Sequence, residues 1–431
     1  MIKKDIKMKN YILIGLISIF AIHCYSQNNN SHDLPSHFGD TCYEHIKELA
    51  SYGIRTTDLK SGLKTISYLT SKFHENGLHA SIDTFVYKSF KYDSAVLSYD
   101  NQRVRFSTLF INPYLKEVDS ALELYILNTP LKDLKDTLND KIVIAPASYS
   151  FFDLFKIHAK AIVIVTDSLH RKLKEENKNS KAFLKLYGNI EKHESYNVLA
   201  NLNSFAHNAH DILISAHWDS KVGPGADDNA SGISVMLELA KYFRQQDSIP
   251  FNLKFIAFGA EEVGMLGSQA YLNKHSSEFG NCVLNINLDA IGGHEEIMIE
   301  THQSSKEDIN AFQILPSTIR SCSQTDEKHR WILLSPEFYA TILFTGMNQI
   351  AWIDKTMKRA SANANVNFRY GLSDGDHRIL SMSGIPVIGI NVPGNRYHVL
   401  GDIPETVNKT SLINVGKLVK DIITEIKFEK N

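Results

Sequence analysis

Four apolar runs in the second half of the chain restrict its fold most: "DILISAH" (211–217), "FNLKFIAFGA" (251–260), "NCVLNINLDA" (281–290) and "GIPVIGINV" (384–392). Each is short, rich in β-branched or aromatic residues and nearly free of charge. Two helix-patterned stretches, "SGISVMLELAKYF" and "MLGSQAYLNKH", separate the first three. Strands buried on both faces read as continuous apolar runs rather than alternating ones, and the helices between them supply the cover. The pattern predicts an α/β protein built on a sheet covered on both faces.

In such a sheet ligands bind beyond the carboxyl ends of the strands, which is where the chemistry-bearing residues stand. His217 ends the first run, Glu261 and Glu262 follow the second, Asp289 ends the third, and His398 follows the last in "NVPGNRYHVLGD". Asp228 sits on the loop feeding the first helix, beside Asp227. Alone, "SAHWDSKVGPGADDNASG" (215–232) reads equally well as a solvated loop with a helix cap, because Asp, Asn, Ser and Gly favour caps and turns. Imidazole and carboxylate groups from five positions (Glu261 and Glu262 taken as one) meeting at one sheet edge point instead to cations between them. That donor set suits zinc, with cobalt or manganese as alternatives, and does not suit an iron–sulfur or four-cysteine site. Five ligands exceed the three of a single catalytic zinc and suit two ions sharing a bridging carboxylate, an arrangement used to polarise acyl or phosphoryl oxygens. Glu261 and Glu262 diverge on an extended strand end, so one can bind metal while the other takes a proton from water. Asp219, two residues past His217, is placed to accept the second ring N–H of that histidine and set its tautomer.

The segments "HWDS", "PGADDNASG", "FGAEEVGMLGS", "NLDAIG", "DHRILSMSGIP" and "YHVLGD" together resemble the zinc-dependent exopeptidases related to bacterial leucyl aminopeptidase and glutamate carboxypeptidase II. The resemblance covers about residues 40–90 and 196–425. It implies a three-layer fold with a central mixed, mostly parallel sheet flanked by helices. It also implies two zinc ions bridged by Asp228, with Glu262 and His398 completing one site, His217 and Asp289 the other, and Glu261 as general base. Tyr370, in "FRYGLSDGDH", resembles the family placement of a tyrosine that donates to the developing oxyanion. Two departures stand out. Gly375-Asp376-His377 replaces the frequent Ser-Asp-His, with Ser373 two residues early, and Trp218 occupies a position that often holds Tyr or Leu.

The resulting expectation is an exported di-zinc aminopeptidase acting on peptides. The alternatives are a glutaminyl cyclase-type acyltransferase using one zinc on the same fold, and a non-catalytic module. Export rests on residues 1–26: four lysines, the apolar "YILIGLISIFAI", then Cys24 and Ser26 ahead of Gln27. Twelve residues are too few for the ~20 that span a bilayer. The pattern reads as a signal peptide leading to the periplasm or the medium, with a lipid-modified Cys24 as the rival. Its removal takes away four lysines and one aspartate, so the net charge of −2 becomes −5. Nothing in that balance suggests nucleic-acid binding. Cys42, Cys282 and Cys322 then remain, with a Cys282–Cys322 disulfide left open, as is the oligomeric state.

The expected organisation is an exopeptidase domain from residues 27–90 and 196–431, with 91–195 as a smaller β-rich insertion. The insertion resembles a protease-associated domain through "KIVIAPAS" and "AIVIVTDS". The rival for that section is an elaborated extension of the core. Ahead of it, Leu59, Leu63, Ile66, Leu69 and Phe73 recur at helical spacing, with Thr57 or Asp58 as cap and Gly77 as stop, followed by the strand "IDTFVY".

Overall fold

The structure, a computed structural model, describes residues 33–57, 59–99, 102–104, 108–111, 118–127, 138–146, 159–176, 181–220, 223–304, 350–373, 375–394 and 399–426. The expected signal segment with Cys24, the cap candidate Asp58, Cys322 and the candidate ligand His398 lie outside the described residues. The chain divides into Met1–Ser36, where residues 33–36 form neither helix nor strand, and His37–Asn431, which holds every element below.

Two helices come first. α1 (Phe38–Ser51) buries Phe38, Cys42, Ile46 and Leu49, a single stripe at helical spacing. α2 (Lys60–Glu75) buries Ile66, Leu69 and Phe73, but Leu59 and Leu63, expected on the same stripe, lie exposed. Leu59 occupies the N-cap, where its side chain can accept nothing. The stop is as expected: Gly77 takes φ +76°, a conformation that costs glycine little, and the Leu78 N–H donates back to the Phe73 carbonyl.

The strands are β1 (His79–Tyr99), β2 (Gln102–Val104), β3 (Thr108–Ile111), β4 (Val118–Ile126), β5 (Leu138–Pro146), β6 (Ala159–Val165), β7 (Lys181–Leu202), β8 (Asp211–His217), β9 (Asn252–Phe258), β10 (Cys282–Leu288), β11 (Ile297–His302), β12 (Phe368–Tyr370) and β13 (Val387–Asn391). Their order is β12-β11-β13-β10-β8-β9-β7-β4-β5-β6-β3, with β1 beside β7 and β2 beside β1. The sheet is mixed, and its centre, β13-β10-β8-β9, is parallel throughout. That stretch aligns four carboxyl ends on one edge. Ser215 pairs with Asn287 and His217 with Phe258, so His217, Asp289 and the residues after Phe258 emerge level with one another.

β1 and β7 form an antiparallel arm from His79 opposite Asn201 to Tyr99 opposite Ala182. Both strands run through the positions at which the sequence suggested a boundary, 90/91 and 195/196. The strands β3–β6 join the central sheet through that arm, because β7 pairs with β9 at one end and β4 at the other.

Helices cover both faces. α4 (Gly232–Arg244) packs on β8, β9 and β10 and is buried almost all round, as its run of apolar residues requires. On the other face α5 (Leu266–Lys274) and α7 (Asp376–Ser381) bring Tyr271 and Leu380 against Leu213, Ile256 and Val387. α3 (Asp167–Glu176) lies beside β4 and β5, while α8 (Lys409–Glu425) packs against α1, α4 and α6 (Ala351–Ala364). Among the described residues no helix is long and apolar enough to cross a membrane.

Candidate metal centre

At the carboxyl edge of β8 and β10, ligand atoms of His217, Asp228 and Asp289 all lie within 4.8 Å of one another. His217 Nε2 stands 3.1 Å from Asp228 Oδ1 and 3.3 Å from Asp289 Oδ1, with Glu261 Oε2 at 3.9 Å. The other ring nitrogen, Nδ1, faces the backbone oxygen of Asp219 at 3.1 Å. A carbonyl can only accept, so Nδ1 carries a proton and Nε2 is the ring nitrogen turned toward the carboxylates.

The Asp219 carboxylate contributes differently from the sequence expectation. Its Oδ1 lies 3.6 Å from the ring. Its two oxygens accept the backbone N–H groups of Glu261 (3.2 Å) and Glu262 (3.1 Å). Asp219 therefore anchors the glutamate pair, while its own carbonyl sets the histidine tautomer. Asn197 on β7 secures the same turn, accepting from the Gly259 N–H and donating to the Gly267 carbonyl.

The loop carrying Asp228 is held at several points. Asp402 accepts the N–H groups of Asp227 and Asp228. Asn229 donates to the Leu288 carbonyl at 2.8 Å and accepts from Gly232 at the start of α4. The Asp228–Asn229 peptide is cis. Arg55, fully buried between α1 and α2, donates to the carbonyls of Trp218, Pro224 and Gly225.

Burial penalises ionised carboxylates here. It raises Glu261 well above the usual carboxylate range, with Asp289 and Asp376 adding repulsion against the opposing pull of His217. Burial likewise raises Asp289, and it pushes Asp227 and Asp376 up to about 7. Burial works against a charged His217 ring, yet Asp289 and Glu261 override it and raise its pKa. A buried set of hard oxygen donors and one imidazole, mutually repelling when ionised, is chemically fitted to a divalent cation such as zinc.

Of the five expected ligands, His217, Asp228 and Asp289 bring their ligand atoms within 4.8 Å of one another. Glu262 is buried beside them on the Asp219-anchored turn, and His398 falls outside the described residues. The structure does not bring the Tyr370 hydroxyl to the cluster. Tyr370 stands on the edge strand β12, and its hydroxyl donates to Asp354 of α6 at 2.8 Å. Trp218, at the position that often holds Tyr or Leu, is fully buried, and its indole N–H donates to the Tyr196 carbonyl. Successive residues of a strand point to opposite faces, so His217 facing the cluster turns Trp218 into the core.

Sequence reasoning missed Arg55 and Asp402. Arg55 belongs to no recognisable spacing, and Asp402, the last residue of "YHVLGD", has no pattern around it that signals a backbone anchor. The altered Gly375-Asp376-His377 loop also has an explanation in packing. Gly375 takes φ +148°, and a Cβ there would approach Asp289 Oδ2 to 2.8 Å. Ser373 serves elsewhere, its N–H donating to Glu300 Oε2 at 2.6 Å.

The chain is similar to known proteins in part of its sequence and in its fold. Residues 197–329 match the profile of Peptidase family M28. A segment of 85 residues is 46% identical to Aminopeptidase YwaD of Bacillus subtilis (strain 168), covering 19% of this chain and 18% of that protein. The match thus spans about a fifth of that relative's length. Among solved structures, an aminopeptidase from Aneurinibacillus sp. strain AM-1 superposes with a TM-score of 0.64 at 21% identity, over 89% of this chain and 93% of that one. BSAP, a zinc aminopeptidase from Bacillus subtilis, superposes with a TM-score of 0.59 at 18% identity, over 90% and 94%. Residues 197–329, which carry four of the five expected ligands, are thus similar to Peptidase family M28, and the mixed-sheet fold is similar to that of these bacterial aminopeptidases.

Proposed function

We propose that the protein is a zinc-dependent aminopeptidase that binds two zinc ions and removes N-terminal residues from peptides. The observation that carries this is the approach of His217, Asp228 and Asp289 at a buried parallel-sheet edge, with the Glu261 carboxylate beside them. His217 and Asp289 would hold one ion, Glu262 and His398 the other, and Asp228 both. Zinc there would supply Lewis-acid polarisation of the scissile carbonyl.

The chain's own residues account for the rest. Glu261 is held at its backbone by Asp219, which leaves its carboxylate free to move a proton. Burial raises its proton affinity, so it can take a proton from the attacking water and return it to the departing amine. The His217 carbonyl partner and the Asp402 and Asn229 contacts keep the surrounding groups in place through the cycle.

The test combines metal counting with two substrates. Purified protein should hold about two zinc ions per chain, as two-metal aminopeptidases do, and hydrolyse aminoacyl-anilides. A chelator should abolish the activity and zinc restore it. A fully active preparation with one zinc that cyclises an N-terminal glutaminyl peptide would establish the acyltransferase alternative. Folded protein with no affinity for zinc would establish the non-catalytic one.

A further inference from the structure

We infer that Arg55 is a positioning residue for the metal centre, acting through the geometry of the 218–228 loop rather than as a counter-charge to its carboxylates. The inference rests on reading that centre as a zinc site. Arg55 lies outside the segment that matches the peptidase family and between two helices that carry no ligand.

Its placement is unusual for an arginine. The side chain is fully buried, and burial lowers its pKa to about 10 against the support of Asp219, Asp402, Asp228 and Glu262. A desolvated guanidinium is costly unless its donors are satisfied. Here they are satisfied by backbone carbonyls: Nε by Trp218 at 2.8 Å, Nη1 by Pro224, and Nη2 by Gly225 at 3.0 Å. The Arg55 backbone adds two more ties, its N–H donating to Ser220 Oγ at 3.0 Å and its oxygen accepting from the Ser220 N–H at 2.9 Å.

These contacts span the loop between two candidate ligands. Trp218 follows His217 directly, and Gly225 lies three residues before Asp228. A rigid planar fork that reaches both ends fixes the separation of those ligands before any ion binds. The packing around the fork has no slack. Gly225 takes φ +57°, and a Cβ there would meet the Asp228 oxygen at 2.3 Å and Arg55 Nη2 at 3.1 Å.

The two roles that Arg55 could play predict opposite signs. A buried cation repels incoming zinc, so if Arg55 served only as counter-charge, removing it would leave zinc affinity unchanged or tighten it. If Arg55 sets ligand geometry, removing it weakens zinc despite the lost repulsion. Arg55→Lys keeps the charge but cannot reproduce the planar fork, so the geometric role predicts weaker zinc in both variants.

The experiment titrates zinc into chelator-treated wild type, Arg55→Gln and Arg55→Lys against a chromogenic competitor, with thermal melts confirming cooperative folding. The expected result is a loss of zinc affinity of roughly tenfold or more in both variants, the usual effect of removing a group that orients ligands. Wild-type or tighter affinity in a cooperatively folded Arg55→Gln overturns the inference. Should Arg55→Gln fail to fold, Arg55→Lys decides alone: weakened zinc supports the inference, and wild-type affinity overturns it. Failure of the wild type to bind zinc would instead overturn the metal-centre reading itself.

Discussion

Asp402 holds Asp228 by its backbone: Oδ2 accepts the Asp228 N–H at 3.0 Å, while Oδ1 accepts the preceding Asp227 N–H at 2.7 Å. The grip fixes the candidate bridging ligand without consuming its carboxylate. Asp402 also lies four residues beyond His398, so it connects the loops that carry two of the proposed ligands.

Asp402→Asn tests this grip with almost no change in shape. One carboxylate oxygen becomes an NH₂ that can only donate, and it faces a backbone N–H. Leaving that buried N–H unpaired costs about 1–3 kcal/mol. Zinc affinity should fall ~10–100-fold. Calorimetric zinc titration and urea unfolding measure the two effects, and wild-type values for both would remove Asp402 from the support of the site.

Glu261 and Glu262 share an anchor but should differ in consequence. Glu261→Gln should reduce turnover by ~10²–10⁴-fold with zinc content nearly intact, the loss typical of a positioned acid–base group. Glu262→Gln should instead lower zinc content. Metal analysis alongside anilide hydrolysis distinguishes them, and equal zinc loss in both variants would contradict the division of labour.

Tyr370→Phe should leave kcat close to wild type, because the hydroxyl is engaged by Asp354 at 2.8 Å. The variant should lose about 0.5–1.5 kcal/mol of stability, the net worth of one such hydrogen bond. A kcat reduced tenfold or more at unchanged zinc content would return the hydroxyl to the reaction.

The parts of this fold that were legible in the sequence are those with strong periodic or chemical signatures. "DILISAH" and "NCVLNINLDA" could only be buried strands, and their terminal His217 and Asp289 do meet. The arm formed by β1 and β7 was not legible as one unit, because pairing over twenty residues is set by the partner strand rather than by local pattern. Leu59 and Leu63 fit the helical period of α2, yet periodicity does not reveal how far a neighbouring element covers the stripe. Tyr370 was placed by resemblance alone, and a side chain's direction from an edge strand depends on tertiary neighbours such as Asp354. Arg55 gave no signal because its partners are backbone carbonyls more than 160 residues away, which impose no residue pattern.

β11, separated from β10 by β13, carries an acid-sensitive ion cluster. Glu300, on β11, is buried and pairs with Arg378 at 2.8 Å, while its other oxygen accepts from the Ser373 N–H at 2.6 Å and faces His377 Nε2 at 3.4 Å. Burial alone would raise its pKa, but His377 and Arg378 prevail and bring it from the ordinary 4.5 down to about 2. A folded-state pKa below the unfolded value means that the stabilisation is complete above pH 4.5 and is lost as pH falls through about 2. A difference of that size corresponds to about 3 kcal/mol. Glu300→Gln removes the titration and leaves Arg378 buried without its counter-charge, so the variant should be destabilised at pH 7 by about 3–5 kcal/mol. Between pH 4.5 and 2 its unfolding free energy should decline less steeply than that of wild type. Urea unfolding at a series of pH values measures both quantities, and identical acid slopes in the two proteins would show that Glu300 does not carry this dependence.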